Sequence, residues 1–245
     1  MIEVRVPYEL NGRSFEGVIV CGEDATDRKR PVLFMQPDWY GVCDETIAQA
    51  RELAGDRYVV FLADMFGADY HGDTKQFDDL LAGMLAVHLD LDFALSCGDL
   101  ALRSLGAEAK RRNLVDPAQP TFAVGYCAGA GFLMEQARAG AAFDSIVIFH
   151  ITNPKPVVPG TPCKVKGPTL TIHGSADPVT SREDIAALEA ELSEAGVEWQ
   201  TVMFGGAVHS FCVPSANFPG AQYDARLCRK SYVLMHDHFA DSIAA

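Results

Sequence analysis

Five short apolar runs constrain this chain more than any other feature. Pro31–Met35 (PVLFM), Arg57–Ala63 (RYVVFLA), Pro120–Gly125 (PTFAVG), Phe143–Phe149 (FDSIVIF) and Pro168–Gly174 (PTLTIHG) lack the alternation of a strand with one wet face. A strand apolar on both sides must be covered on both, which is the condition of a parallel sheet sandwiched by helices. The segments between the runs read as those helices. Asp44–Gly55 sets Ile47, Ala50, Leu53 and Ala54 on one face and stops at a glycine. A stretch from about Lys75 to Arg112 reads as one or two helices. Ser181 is an N-cap with Asp184 three residues on, followed by Ile185, Leu188 and Leu192 and a stop at Gly196. A strand over Glu198–Phe204 and a closing helix over Tyr223–Ser242 complete the pattern.

The N-terminus obeys a different rule. Glu3–Leu10 and Ser14–Cys21 alternate and are joined at Asn11-Gly12, the pair that supplies positive φ in a tight hairpin turn. An antiparallel hairpin is therefore predicted ahead of the parallel sheet. No linker, repeat or low-complexity tract interrupts the chain, and the Pro-rich segment Asn153–Pro162 has the length of a surface loop. The expectation is a single α/β domain spanning residues 1–245, a length able to bury about three quarters of its unfolded surface.

Composition excludes several functions. A formal net charge of −13 with no compensating Lys/Arg cluster argues against nucleic acid and anionic lipid as partners. The first residues alternate instead of running basic and then apolar, so neither a signal peptide nor a membrane anchor is expected, and a cytoplasmic location follows as the expectation. Seven cysteines (21, 43, 97, 127, 163, 212 and 228) form an odd set without a C-x-x-C pair, which predicts mostly reduced, buried thiols and no disulfide framework. Neither their spacing nor that of the histidines suggests a metal site, and no cofactor is predicted.

One junction carries chemistry. The run Gly125–Gly131, GYCAGAG, joins a predicted strand to a predicted helix. G-x-S-x-G in that setting is the nucleophile elbow of α/β-hydrolases, and here Cys127 occupies the serine position. Such a turn lifts its central side chain clear of the sheet and seats it at a helix N-terminus, where unpaired N–H groups favour an anion. A thiol of pKa about 8.5 next to an imidazolium would ionise there at neutral pH. Asp177 and His209 each fall just past a predicted strand end, so Cys127, Asp177 and His209 appear in the chain order that the hydrolase fold requires. Taken singly, Asp177 before Pro178 also suits a turn or a helix cap, and His209 a plain loop histidine. Histidines 71, 88, 150, 173, 236 and 238 lack this positional support.

With these residues in place the sequence resembles the dienelactone hydrolase family of α/β-hydrolases. The matching segments are Gln36–Val42 (QPDWYGV), GYCAGAG, Gly174–Val179 (GSADPV) and His209–Phe211 (HSF), and they cover nearly the whole chain. The resemblance implies a Cys127 nucleophile, a His209 base oriented by Asp177, an oxyanion hole from the backbone N–H groups of Ala128 and Trp39, and a carboxylate, Asp38, that helps activate the thiol. Enzymes of this family that act on dienelactone carry a glutamate at the Asp38 position and an arginine shortly after HSF. This chain has the shorter acid and Cys212-Val213-Pro214 instead, which removes a charge-assisted reason to prefer an anionic lactone. Trp39, Tyr40, Tyr126 and Phe211 are expected to line an apolar mouth, with the loop Gly67–Phe77 over the site and Arg182 as a candidate anion contact. The expected activity is hydrolysis of small carboxylic esters or lactones through a thioester. The alternatives are a catalytically silent binding protein on the same scaffold and a thiol redox sensor using Cys127.

Overall fold

The computed structural model describes residues 1–244. Eight strands form one mixed sheet: β1 (Ile2–Leu10), β2 (Arg13–Cys21), β3 (Val32–Gln36), β4 (Val59–Leu62), β5 (Thr121–Tyr126), β6 (Ser145–Phe149), β7 (Thr169–Gly174) and β8 (Trp199–Phe204), in the order β1-β2-β4-β3-β5-β6-β7-β8. The helices are α1 (Asp44–Ala54), α2 (Phe77–Leu89), α3 (Leu91–Arg111), α4 (Ala128–Ala139), α5 (Arg182–Glu194) and α6 (Ala225–Ala244). This is the α/β-hydrolase fold with an N-terminal antiparallel hairpin. The chain divides into two compact units, residues 1–122 and 123–245.

In the first unit β1 and β2 pair antiparallel from Ile2–Cys21 to Leu10–Arg13, and Asn11 and Gly12 turn with φ of 52° and 76°. β3 and β4 pair in parallel across α1, and every residue of both strands is buried. The helical stretch that follows resolves into α2 and α3, bent by 91°. Asp90 makes the break, its carboxylate accepting from Phe93 N at 3.0 Å to cap α3. No single described helix is long and apolar enough to cross a membrane. The turn after β4 is organised by Asp64, only 2 % exposed, which accepts from the N–H groups of Glu16, Phe66 and Gly67 at 2.9 Å. Burial still raises its pKa above the ordinary carboxylate value, against the pull of those hydrogen bonds. The loop that continues from it lies on the Asp38–Tyr40 segment, with Tyr70 Oη donating to Trp39 O at 2.9 Å.

In the second unit β6, β7 and β8 run parallel, and β5 to β7 are almost wholly buried. α5 begins as expected at Ser181, whose hydroxyl accepts from Asp184 N. α4 is buried nearly throughout, and Arg138 on it, 1 % exposed, is paired with Glu135 and Glu191 at 2.8 and 2.7 Å. Two features depart from the sequence expectation. Residues between β8 and α6 form a small antiparallel pair, β9 (Asn217–Phe218) and β10 (Ala221–Gln222), too short to leave a periodic signal. Cys212 and Cys228 are joined in a disulfide, whereas Cys21, Cys43, Cys97, Cys127 and Cys163 are free. The expectation of mostly reduced thiols holds for five of the seven, and Cys212–Cys228 is the exception: its partners are 16 residues apart, one in a loop and one on α6, and only the fold brings them together.

Candidate active site

The junction of β5 and α4 is built around a strained residue. Cys127 has φ 52° and ψ −116°, a left-handed conformation that costs a non-glycine residue about 1–3 kcal/mol. Three backbone hydrogen bonds hold it there: Cys127 N donates to Phe149 O at 3.1 Å, and Cys127 O accepts from Thr152 N at 3.1 Å and Gly131 N at 3.4 Å. The turn is so tight that a Cβ on Gly125 would lie 2.6 Å from Ala130 Cα, and one on Gly131 2.5 Å from Thr152 O. Both glycines are therefore required by close approach of backbone. Ala128, the residue after Cys127, opens α4.

Asp177 sits in the turn after β7. Its Oδ1 accepts from Val179 N at 2.8 Å and Thr180 N at 3.1 Å, which is the turn role the sequence left open. Its Oδ2 is 2.7 Å from His209 Nδ1, so the same carboxylate also orients a histidine. His209 follows β8 and is held by the small β9–β10 pair: His209 N donates to Gly220 O and Gln222 N donates to His209 O, both at 3.0 Å. Its Nε2 lies 3.1 Å from Cys127 Sγ. The structure thus brings Cys127, His209 and Asp177 into one hydrogen-bonded line, each at most 9 % exposed.

The electrostatics of that line are linked. Burial by itself lowers the His209 pKa, but the Cys127 sulfur and then the Asp177 hydrogen bond outweigh it and lift the imidazole to about 10. Burial raises the pKa of Asp177, yet the hydrogen bond and charge of His209 bring it below the ordinary value. Two further histidines sit behind. His173 Nε2 is 3.6 Å from Asp177 Oδ2 and 3.1 Å from Thr180 O, and burial lowers its pKa. His150, fully buried, places its ring edge-on to His209 with centroids 5.3 Å apart, and burial followed by the charge of His209 keeps it neutral. Among the described residues no group of three His, Cys, Asp or Glu side chains is arranged to hold a metal.

The remaining predicted site residues fall in three places. Asp38, 3 % exposed, accepts from Tyr40 N at 2.8 Å in the loop after β3. Trp39 and Tyr40 beside it are half-buried, and the Trp39 ring meets Tyr40 and Phe77 edge-on at 6.2 and 5.4 Å. Tyr126 and Phe211 are interior residues, 0 % and 1 % exposed, so their expected place in the mouth is corrected. Tyr126 stacks on Phe149 at 4.7 Å. Phe211 packs on His150 and Phe204 and borders a hollow lined by Gly206–Val208, Gln222–Asp224 and Leu227, none of which is Cys127, Asp177 or His209. The period-2 position of Tyr126 and the local apolarity of Phe211 left their direction open. Arg182 is exposed at the first position of α5. The sequence reading missed Thr152, whose Oγ1 is 3.3 Å from Cys127 Sγ. It follows β6 with nothing in its neighbours to mark it.

Known proteins resemble the chain over nearly its whole length. The protein named m3DLH is 27% identical, with a TM-score of 0.87 and 98% of each chain covered. A dienelactone hydrolase-like promiscuous phosphotriesterase from metagenomic libraries is 28% identical, with a TM-score of 0.86 and the same 98% coverage of both chains. No curated protein matches the chain significantly. Residues 15–242 match the model of the dienelactone hydrolase family, and the chain belongs to that family of hydrolases.

Proposed function

We propose that this protein hydrolyses small carboxylic esters or lactones by acyl transfer through Cys127, acting as one domain over residues 1–245. The observation that carries the reading is the placement of His209, with Nε2 3.1 Å from the Cys127 sulfur and Nδ1 2.7 Å from Asp177. In this scheme the thiol proton resides on Nε2, Nδ1–H donates to Asp177, and the resting site is a thiolate–imidazolium pair.

The raised pKa of His209 fits that pair and suits both halves of the reaction. The thiolate attacks the carbonyl carbon, and the leaving alkoxide takes a proton from the imidazolium. Once the sulfur is a thioester its charge is gone, and the contribution that held the imidazole protonated goes with it. Burial then favours neutral His209, which becomes the base that activates the deacylating water. The N-terminus of α4 supplies Ala128 N–H to the tetrahedral oxyanion, each such donor being worth ~3–4 kcal/mol. The resemblance of Gln36–Val42 to the family's segment implies Trp39 N–H as the second donor and Asp38 as the additional carboxylate. Amides are poor substrates in this mechanism, because the thiolate leaves more readily than an unprotonated amine.

The test is hydrolysis of a short-chain p-nitrophenyl ester by the wild type and by Cys127→Ala, both checked for fold by circular dichroism. Turnover in the wild type alone, with acyl-Cys127 detected by mass spectrometry, is the expected result. Undiminished turnover in Cys127→Ala overturns the proposal. A phosphotriester belongs in the same panel, since one structural relative is a phosphotriesterase.

A further inference from the structure

The segment after β6 is strained at two non-glycine residues within four positions. His150 has φ 35° and Asn153 has φ 55°. Backbone held in this region persists only where surrounding contacts over-determine it, and it gathers at functional sites. Those contacts are present: His150 N donates to Ile172 O at 2.9 Å, Thr180 Oγ1 donates to Ile151 O at 2.7 Å, and Thr152 N donates to Cys127 O at 3.1 Å. The outcome is that Thr152, 5 % exposed, is laid against the nucleophile with its Oγ1 3.3 Å from the sulfur. Among the described residues the sulfur is the hydroxyl's one hydrogen-bond partner.

We propose that Thr152 is a further catalytic residue, whose hydroxyl donates a hydrogen bond to the Cys127 thiolate and holds the sulfur ionised alongside His209. The inference rests on Cys127 being the nucleophile. A thiolate has no proton of its own to give, so at 3.3 Å the hydroxyl must be the donor. An aliphatic hydroxyl is far too weak an acid to surrender that proton, so it stabilises the anion without neutralising it. Sulfur in a thioester is a poor acceptor. The bond is therefore strong when the thiolate is waiting or leaving and weak in the acyl-enzyme. Within residues 123–245 the titratable groups facing the sulfur are His209 directly, Asp177 through it, and His150 and His173 behind them.

The experiment is the pH profile of Cys127 alkylation by iodoacetamide, followed on the Cys127 peptide by mass spectrometry because Cys163 is also free and partly exposed. Loss of one charge-assisted hydrogen bond in Thr152→Val is expected to move the midpoint up by about one pH unit. Below the midpoint the thiolate fraction falls about tenfold, while the more basic thiolate is about threefold more nucleophilic. Alkylation should thus be about threefold slower than wild type on the acidic limb and about threefold faster on the alkaline plateau. Thr152→Ser, which keeps the hydroxyl, should restore the wild-type profile. A packing role would not make the two profiles cross. An unmoved midpoint in Thr152→Val, or the same shift in Thr152→Ser, overturns the proposal. If Thr152→Val does not fold, Thr152→Ala compared with Thr152→Ser decides by the same criteria. Alkylation needs no ester turnover, so this result stands apart from the Cys127→Ala assay that judges the hydrolase reading.

Discussion

Asp177→Asn tests the proposed reaction at a single atom. Oδ1 of Asp177 is fixed by two N–H donors, those of Val179 and Thr180, at 2.8 and 3.1 Å. The one oxygen of asparagine must remain there, since the alternative leaves both donors, that of Thr180 buried, facing an NH₂ group. The asparagine NH₂ therefore turns to His209 Nδ1, where Oδ2 now stands at 2.7 Å. Nδ1 must become an acceptor, the ring proton moves to Nε2, and the imidazolium, which needs N–H at both positions, is excluded. Cys127 then loses the imidazolium that pairs with its thiolate, which slows acylation. Deacylation loses its general base, a factor of about 10² to 10⁴. We expect kcat for a p-nitrophenyl ester to fall by that factor, about 3–5 kcal/mol in the barrier, with acyl-Cys127 accumulating in intact-mass spectra. The two turn hydrogen bonds survive, so thermal stability should change little. A folded Asp177→Asn protein with kcat within tenfold of wild type would refute the assigned roles of Asp177 and His209.

Two further outcomes follow from the surroundings of the site. Replacing Cys212 or Cys228 with serine, or reducing the bridge, opens a link across 16 residues and should cost about 3 kcal/mol. In thermal unfolding this reads as a fall in Tm of about 6–12 °C, and an unchanged Tm under reducing conditions would show that the bridge contributes nothing. Gly131→Ala drives a methyl to within 2.5 Å of Thr152 O, so the Cys127 turn must shift; we expect a loss of about 1–3 kcal/mol by denaturant titration and slower alkylation of Cys127. Wild-type stability and alkylation together would contradict the tight packing described for that turn.

Local rules were enough for the framework and part of the site. Asn11-Gly12 specified the hairpin because positive φ at two successive residues is a property of those residues themselves. The unbroken apolar runs specified buried parallel strands, since burial on both faces is written into every position of the run. Glycines at 125 and 129 around Cys127 announced the elbow, and the order Cys127, Asp177, His209 placed the three groups after successive strands. What the sequence left open depends on residues distant in the chain meeting. Tyr126 and Phe211 read as residues of the mouth, whereas packing on Phe149 and His150 makes them interior. Cys212 and Cys228 read as free thiols until α6 came to lie against the His209 loop. Thr152 carried no signal at all, because its chemistry is a 3.3 Å distance to a sulfur 25 residues away. Local conformational preference and burial are sums over neighbouring residues and survive in the sequence, whereas a directed hydrogen bond or a bridge exists only when two backbones have been set to within a fraction of an ångström.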